Sequence, residues 1–200
     1  MKLYVYGEDG LTLWALKYQL SDILRQLNDN SKASDCELFY RPSFGRRGGP
    51  RSSQFGEFDF IILAKERLYL GESKWDRSPE LTELNTIKLR QEQLTRQGLF
   101  AFYVREWAFG DYDSWEDFIG KAKERAPKPL APLGSLLSKN LRDILIIIKN
   151  HFSVCPQIQD VLLYLYTGSS LVPVGVNGNF KIVPIKYPVE DSRNYISIGI

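Results

Sequence analysis

Histidine is nearly missing from this 200-residue chain: His151 is the only one. A histidine-based catalytic triad or a histidine-rich metal cluster therefore cannot be built from it. A single histidine at the end of a helix serves most often as a dipole partner or a surface residue, and His151 is read that way. Cysteine is almost as scarce. Cys36 and Cys155 show no C-x-x-C spacing, which signals no zinc site and suits two free, buried thiols. Cys155 precedes Pro156 and is read as structural. The glycines at 45, 48, 49 and 56 do not form a G-x-x-x-x-G-K-[ST] loop, which argues against a P-loop nucleotide site. No apolar run approaches the length of a membrane span, and the opening Met-Lys-Leu-Tyr-Val-Tyr lacks a signal-peptide layout. A soluble cytoplasmic protein without a membrane partner is expected. The net charge of +2 is too small for the total to name a partner.

What is present is an ordinary globular composition, long enough to bury a core without staples. Residues 2–6 alternate as a strand, and Gly7-Glu8-Asp9-Gly10 reads as a turn. Leu13, Leu16, Leu20, Ile23, Leu24 and Leu27 recur at helical spacing, which predicts a helix over 11–28. Residues 36–41 are a candidate first strand of the core sheet. Ser78-Pro79-Glu80 has the form of a helix start, with Gly98 placed to end that helix. Residues 99–107, Leu-Phe-Ala-Phe-Tyr-Val-Arg-Glu-Trp, read as a strand. Strand 68–75, helix 80–97 and strand 99–106 would then form a βαβ crossover with parallel strands. Further on, Asp113 or Ser114 caps a short helix, prolines 127, 129 and 132 stiffen a connection, and a helix runs over 134–151. Four short strands follow at 161–166, 171–176, 180–186 and 195–200. Asn177-Gly178 between two of them is a strong hairpin signal. The fold class expected is α/β: a mixed sheet flanked by helices, with a C-terminal helix plus small antiparallel sheet. A core over 1–126 and an extension over 127–200 are anticipated; whether the latter is a separate module or enlarges the first sheet stays open.

The most informative segment is a hairpin. Residues 57–63 read Glu-Phe-Asp-Phe-Ile-Ile-Leu and residues 68–75 read Leu-Tyr-Leu-Gly-Glu-Ser-Lys-Trp. The four residues between them suit a hairpin loop. Pairing Leu63 with Leu68 sets Asp59 opposite Glu72 and Glu57 opposite Lys74, all on one face. Opposed carboxylates repel, and a divalent cation between them would reverse the sign. A merely solvated polar face is the competing explanation; it gains nothing from the Asp59–Glu72 opposition.

Asp59, twelve residues, then Glu72-Ser73-Lys74 resembles the PD-(D/E)xK nuclease signature. The resemblance spans roughly residues 1–108, and Phe58 stands where the pattern has proline. It implies a restriction-endonuclease-like core and a metal-dependent DNA endonuclease of restriction, junction-resolving or repair type. It implies that Asp59 and Glu72 hold Mg²⁺, with Mn²⁺ able to substitute, and that Lys74 positions or activates the attacking water. An additional acid near the first helix often joins such a site, and Glu8, ahead of Asp9, is the candidate; Glu57 is a further one. A Toprim-like reading also uses Glu8 but leaves Glu72 and Lys74 unexplained. Arg41, Arg46, Arg47 and Arg51 alternate with Gly and Ser in an acid-free run leading into the hairpin, a candidate DNA-phosphate contact. Lys88, Arg90 and Arg96 would extend that basic surface. Such enzymes often act as homodimers, and the aromatics near Trp107–Trp115 or the C-terminal sheet are candidate interfaces. The alternatives are a catalytically inactive nucleic-acid-binding module on the same fold, or an assembly protein with a fortuitous acidic hairpin.

Overall fold

Phe60-Ile61-Ile62-Leu63 offers no polar side chain to either face, so this strand must be covered on both sides. The computed structural model describes residues 1–44, 56–168, 170–188 and 195–199 and meets that demand with three layers. Strand β1 (Lys2–Tyr6) leads into helices α1 (Gly7–Tyr18) and α2 (Leu20–Gln26). Strands β2 (Glu37–Tyr40), β3 (Phe60–Leu63), β4 (Arg67–Trp75) and β5 (Thr86–Ile87) follow. Helix α3 (Gln91–Tyr103) runs into a π-helical turn at Val104–Ala108, then come α4 (Trp115–Ala122) and α5 (Leu136–His151). Strands β6 (Gln157–Tyr166), β7 (Gly175–Val176), β8 (Phe180–Lys186) and β9 (Tyr195–Gly199) complete the chain.

The central sheet has five strands in the order β2-β3-β4-β6-β8. β2, β3 and β4 are antiparallel neighbours, while β4, β6 and β8 run parallel, so the sheet is mixed. Alternation along β3 and β4 divides the core. Phe60, Ile62 and Tyr69 pack with α1 and α2, whereas Ile61, Leu63, Leu68 and Leu70 pack with α3, α4 and α5. A small antiparallel sheet pairs β1 with β9, and β5 and β7 form a two-residue parallel pair. Among the described residues no helix is long and apolar enough to cross a membrane.

Several expectations need correction. The Gly7–Gly10 segment is the first turn of α1, entered through Gly7 at φ 62°. The helix expected over 11–28 is two helices broken at Gln19. Ser78-Pro79-Glu80 does not nucleate a helix: the Ser78 hydroxyl donates to the Glu80 carboxylate (2.7 Å), and the segment goes on to form β5. The helix begins at Gln91 and continues through Gly98, and residues 99–107 are helical rather than a strand. Leu99, Phe100, Tyr103, Val104 and Ala108 recur every three to four residues, and this stripe is what the sheet buries. A nine-residue run that is apolar at nearly every position cannot separate the two periods. The parallel partner of β4 is therefore β6, with Arg67 to Trp75 beside Gln157 to Leu165, reached through α3, α4 and α5. Of the two arrangements left open for the C-terminal third, enlargement of the main sheet is the one present for β6 and β8, while β9 joins β1 in the small antiparallel sheet. Asn177-Gly178 does not close a β7–β8 hairpin; the Asn177 side chain instead accepts from the Leu89 amide (2.6 Å) and donates to the Leu89 carbonyl (3.0 Å).

Other expectations hold. Ser114, one of the two expected caps, caps α4 through its hydroxyl; Ser135, not singled out in the sequence, does the same for α5. His151 Nε2 lies 3.0 Å from the Ala64 carbonyl and Nδ1 lies 3.1 Å from the Glu37 carboxylate, a latch between α5 and the sheet. Cys36 and Cys155 are both free thiols, Cys155 exposed rather than buried. Trp115, expected among aromatics at an interface, departs from that expectation: it is buried and stacks on Tyr103 with ring centroids 5.7 Å apart, so it belongs to the core.

Gly71 leaves no room for a side chain: a Cβ there would stand 2.2 Å from the Phe60 ring. Gly71→Ala should destabilise the fold by at least about 1–3 kcal/mol, as overpacking does. Gly120→Ala on exposed α4, where a Cβ meets nothing within 4 Å, should instead stabilise by about 0.5–1 kcal/mol. Denaturant midpoints of the two variants check the pair.

Candidate active site

The β3–β4 ladder follows the expected register from Leu63↔Leu68 to Phe60↔Gly71 and then parts. The Asp59 amide still reaches the Gly71 carbonyl (3.2 Å), but the Asp59 carbonyl accepts from the Arg41 amide (3.0 Å). Glu57 has swung to the other side, bridging to Ser43 and pairing with Arg41 at 3.3 Å. Glu57 therefore does not face Lys74, and Asp59 does not face Glu72. Two carboxylates opposed without a cation would repel, and the divergence removes that opposition.

Each carboxylate has taken its own partner. Asp59 Oδ2 accepts from the Ser73 amide at 2.7 Å. Glu72, 1% exposed, is gripped by α3: one oxygen meets the Arg96 guanidinium and the other accepts from Gln93 Nε2 at 2.7 Å. Gln93 and Arg96 are one turn apart on α3, which brings both to β4 at once. Arg96 is 8% exposed, and its guanidinium lies 5.0 Å from the Phe58 ring centroid. Lys74, 6% exposed, donates to Glu8 Oε1 at 3.2 Å, and the Trp75 amide donates to Glu8 Oε2 at 3.1 Å. Between the two acids that open α1, Glu8 is thus the one at β4; Asp9 turns out to Arg41.

Burial dominates the electrostatics. It raises the Glu8 carboxyl, opposed by Lys74 and reinforced by repulsion from Asp59. It raises Asp59 as well, against the Ser73 amide, Lys74 and Arg96. Burial pushes the Arg96 guanidinium down to about 10, with Asp59 and Glu57 resisting.

Glu8, Asp59 and Lys74 therefore converge at the C-terminal end of β4, and Glu72 lies beside them turned toward α3. Of the basic residues expected at DNA, Arg41 pairs with Asp9 and Glu57. Lys88 and Arg90 are exposed just before α3. Arg96, expected on the surface, is buried. Arg46, Arg47 and Arg51 lie outside the described residues. Gln93 escaped the sequence reading; its signal is that a buried glutamate needs donors and α3 is the element that covers it. Among the described residues no three His, Cys, Asp or Glu side chains gather as they would around a metal ion. In kind, the oxygen-only donors Glu8, Asp59 and Glu72 suit a hard cation such as Mg²⁺. Glu8 already accepts from Lys74 and the Trp75 amide and would have to share an oxygen with the ion, and Glu72 fits once it exchanges Arg96 for the ion.

Comparison with known proteins gives no match: no family model, curated protein or solved structure is similar to this chain.

Two outcomes follow from these charges. Glu72→Ala leaves Arg96 buried without its partner and should cost about 3–5 kcal/mol in a denaturant titration. Asp59→Asn should behave oppositely. An acid whose folded pKa is raised binds its proton more tightly in the folded state, so stability falls as pH rises from the unfolded pKa through the folded one. Asp59→Asn retains an acceptor for the Ser73 amide, so it should be at least as stable as wild type at pH 7. It should also flatten the fall in stability above pH 4; melting temperatures across pH 4–8 check both.

Proposed function

We propose that this chain is a Mg²⁺-dependent DNA endonuclease of the PD-(D/E)xK type. The observation that carries the reading is the convergence of Glu8, Asp59 and Lys74 at one end of β4, with Glu72 adjacent. Partial burial raises both carboxyls, and repulsion from Asp59 raises Glu8 further, which makes a site that a cation would relieve. Asp59, Glu8 and Glu72 would hold Mg²⁺, or Mn²⁺ in its place. When bound, the cation supplies Lewis-acid polarisation of the scissile phosphate. Lys74, its ammonium held by Glu8, orients the attacking water or offsets charge on the pentavalent phosphate. One oxygen of Asp59 is held by the Ser73 amide. Arg41, Arg46, Arg47, Arg51, Lys88 and Arg90 hold the duplex by its phosphates without reading sequence. Cutting both strands favours action as a homodimer.

One observation favours a second reading. With Arg96 and Gln93 on both oxygens of Glu72, the same fold suits a catalytically inactive nucleic-acid-binding module.

A single assay separates them: cleavage of plasmid, linear, single-stranded and four-way-junction DNA in Mg²⁺ or Mn²⁺, beside binding in Ca²⁺. The nuclease reading expects cleavage of at least one substrate, and Lys74→Ala should lose about 3 kcal/mol or more of transition-state stabilisation with little change in DNA affinity. DNA binding without cleavage in either metal supports the inactive module, and neither binding nor cleavage removes both readings.

A further inference from the structure

A cavity of about 690 Å³ opens between α3 and the first residues of β6 and β8, toward the end of β4 opposite Lys74. That volume is within the roughly 300–1,000 Å³ of small-molecule sites. Its walls carry chemistry that the candidate active site does not use. Gln97, one turn along α3 from Gln93, lines the cavity and is 2% exposed, and neither its amide nitrogen nor its amide oxygen has a partner among the described residues. A buried amide left unpaired is costly, so such a group points to something absent that would pair with it. Arg105, from the π-helical turn, and Lys181, from β8, line the cavity too, and neither forms an ion pair among the described residues. Asp160 on β6 is half-buried there, its carboxyl pushed up to about 6 by burial although Arg105 draws it down. The ring of Phe180 forms part of the wall, and a Cβ on Gly98 would meet nothing within 4 Å, leaving the helix surface bare at this point.

These groups select among ligands. A simple anion would pair with Arg105 but would meet Asp160 and leave Gln97 unpaired. A neutral sugar would make no use of the positive charge of Arg105. A carboxylate accepts from an exocyclic amino group, an amide pairs with a donor-acceptor base edge, and an aromatic ring offers a stacking face. Cationic side chains take a phosphate. We propose that the cavity binds a nucleotide whose base carries an exocyclic amino group, the base on Phe180 with its amino edge at Asp160 and Gln97, and the phosphate at Arg105; Lys181, which alternates with Phe180 onto the α1–α2 face of β8, stands at the rim. The site is separate from the carboxylates at Lys74 and does not depend on the nuclease reading.

The test is equilibrium calorimetry on the whole chain in EDTA, so that no metal-dependent chemistry contributes. The probes are dCMP, dAMP, dTMP, deoxycytidine and inorganic phosphate. Either dCMP or dAMP should bind, at least about tenfold more tightly than dTMP or phosphate. Arg105→Ala should weaken the nucleotide without affecting deoxycytidine. Gly98→Leu should fill the opening and weaken binding at least about tenfold without lowering the melting temperature, since it removes a glycine from a helix interior. Absence of binding by both amino-bearing nucleotides overturns the proposal, as does equal affinity for dTMP and phosphate. Binding unchanged in both variants overturns it as well. Nucleotide binding in EDTA by a protein that never cuts DNA would leave this site standing while removing the nuclease reading.

Discussion

The contact between Glu72 on β4 and Arg96 on α3 is the interaction around which this fold is arranged. Both groups are nearly inaccessible to water, so each would be prohibitively costly alone. Together, with Gln93 on the second oxygen of Glu72, they hold the first turns of α3 at one position along β4. A buried pair of this kind adds little net stability over well-packed apolar residues, but it tolerates few alternative alignments. With α3 fixed there, the stripe from Leu99 to Ala108 falls on Leu68 and Leu70, and the chain is carried over the sheet to enter β6 parallel to β4. The same guanidinium lies 5.0 Å from the Phe58 ring centroid.

That arrangement explains which parts of the fold could be read in advance. The Leu63↔Leu68 register was legible because a short loop and two apolar strands leave one alignment that keeps every large side chain buried. The cap at Ser114 was legible because capping is local chemistry. Residues 99–107 were not, because their apolar character satisfies both a strand and a helix and only burial against the sheet chooses. The Ser78-Pro79-Glu80 and Asn177-Gly178 signals are also local, and both were overridden by the pairing of β5 with β7 and the hold of Asn177 on Leu89.

At the site the division is similar. Spacing along the hairpin brought out Asp59, Glu72 and Lys74, and Glu8 came from its position at the start of the first helix. What spacing cannot convey is how four neighbouring charges share the available partners. The carboxylates take separate partners: Asp59 the Ser73 amide, Glu72 α3, Glu8 Lys74, and Glu57 Arg41. Arg96 was misjudged because a long helix begun at residue 80 turned it outward, whereas the helix begun at Gln91 turns it onto β4. The charge needed to neutralise the site is thus supplied by the protein itself, and the reading as a metal-dependent nuclease turns on whether an ion can take the place of Arg96.

Calorimetric titration of Ca²⁺ into wild type and Arg96→Gln addresses that exchange most directly, since Ca²⁺ occupies carboxylate sites without requiring cleavage. If Arg96 stands in for the cation, removing its charge should tighten Ca²⁺ binding by about tenfold or more, on the scale of one lost competing charge interaction. Asp59→Asn should abolish binding in both backgrounds. Affinity that is unchanged or weaker in Arg96→Gln, or binding that survives Asp59→Asn, would contradict the account.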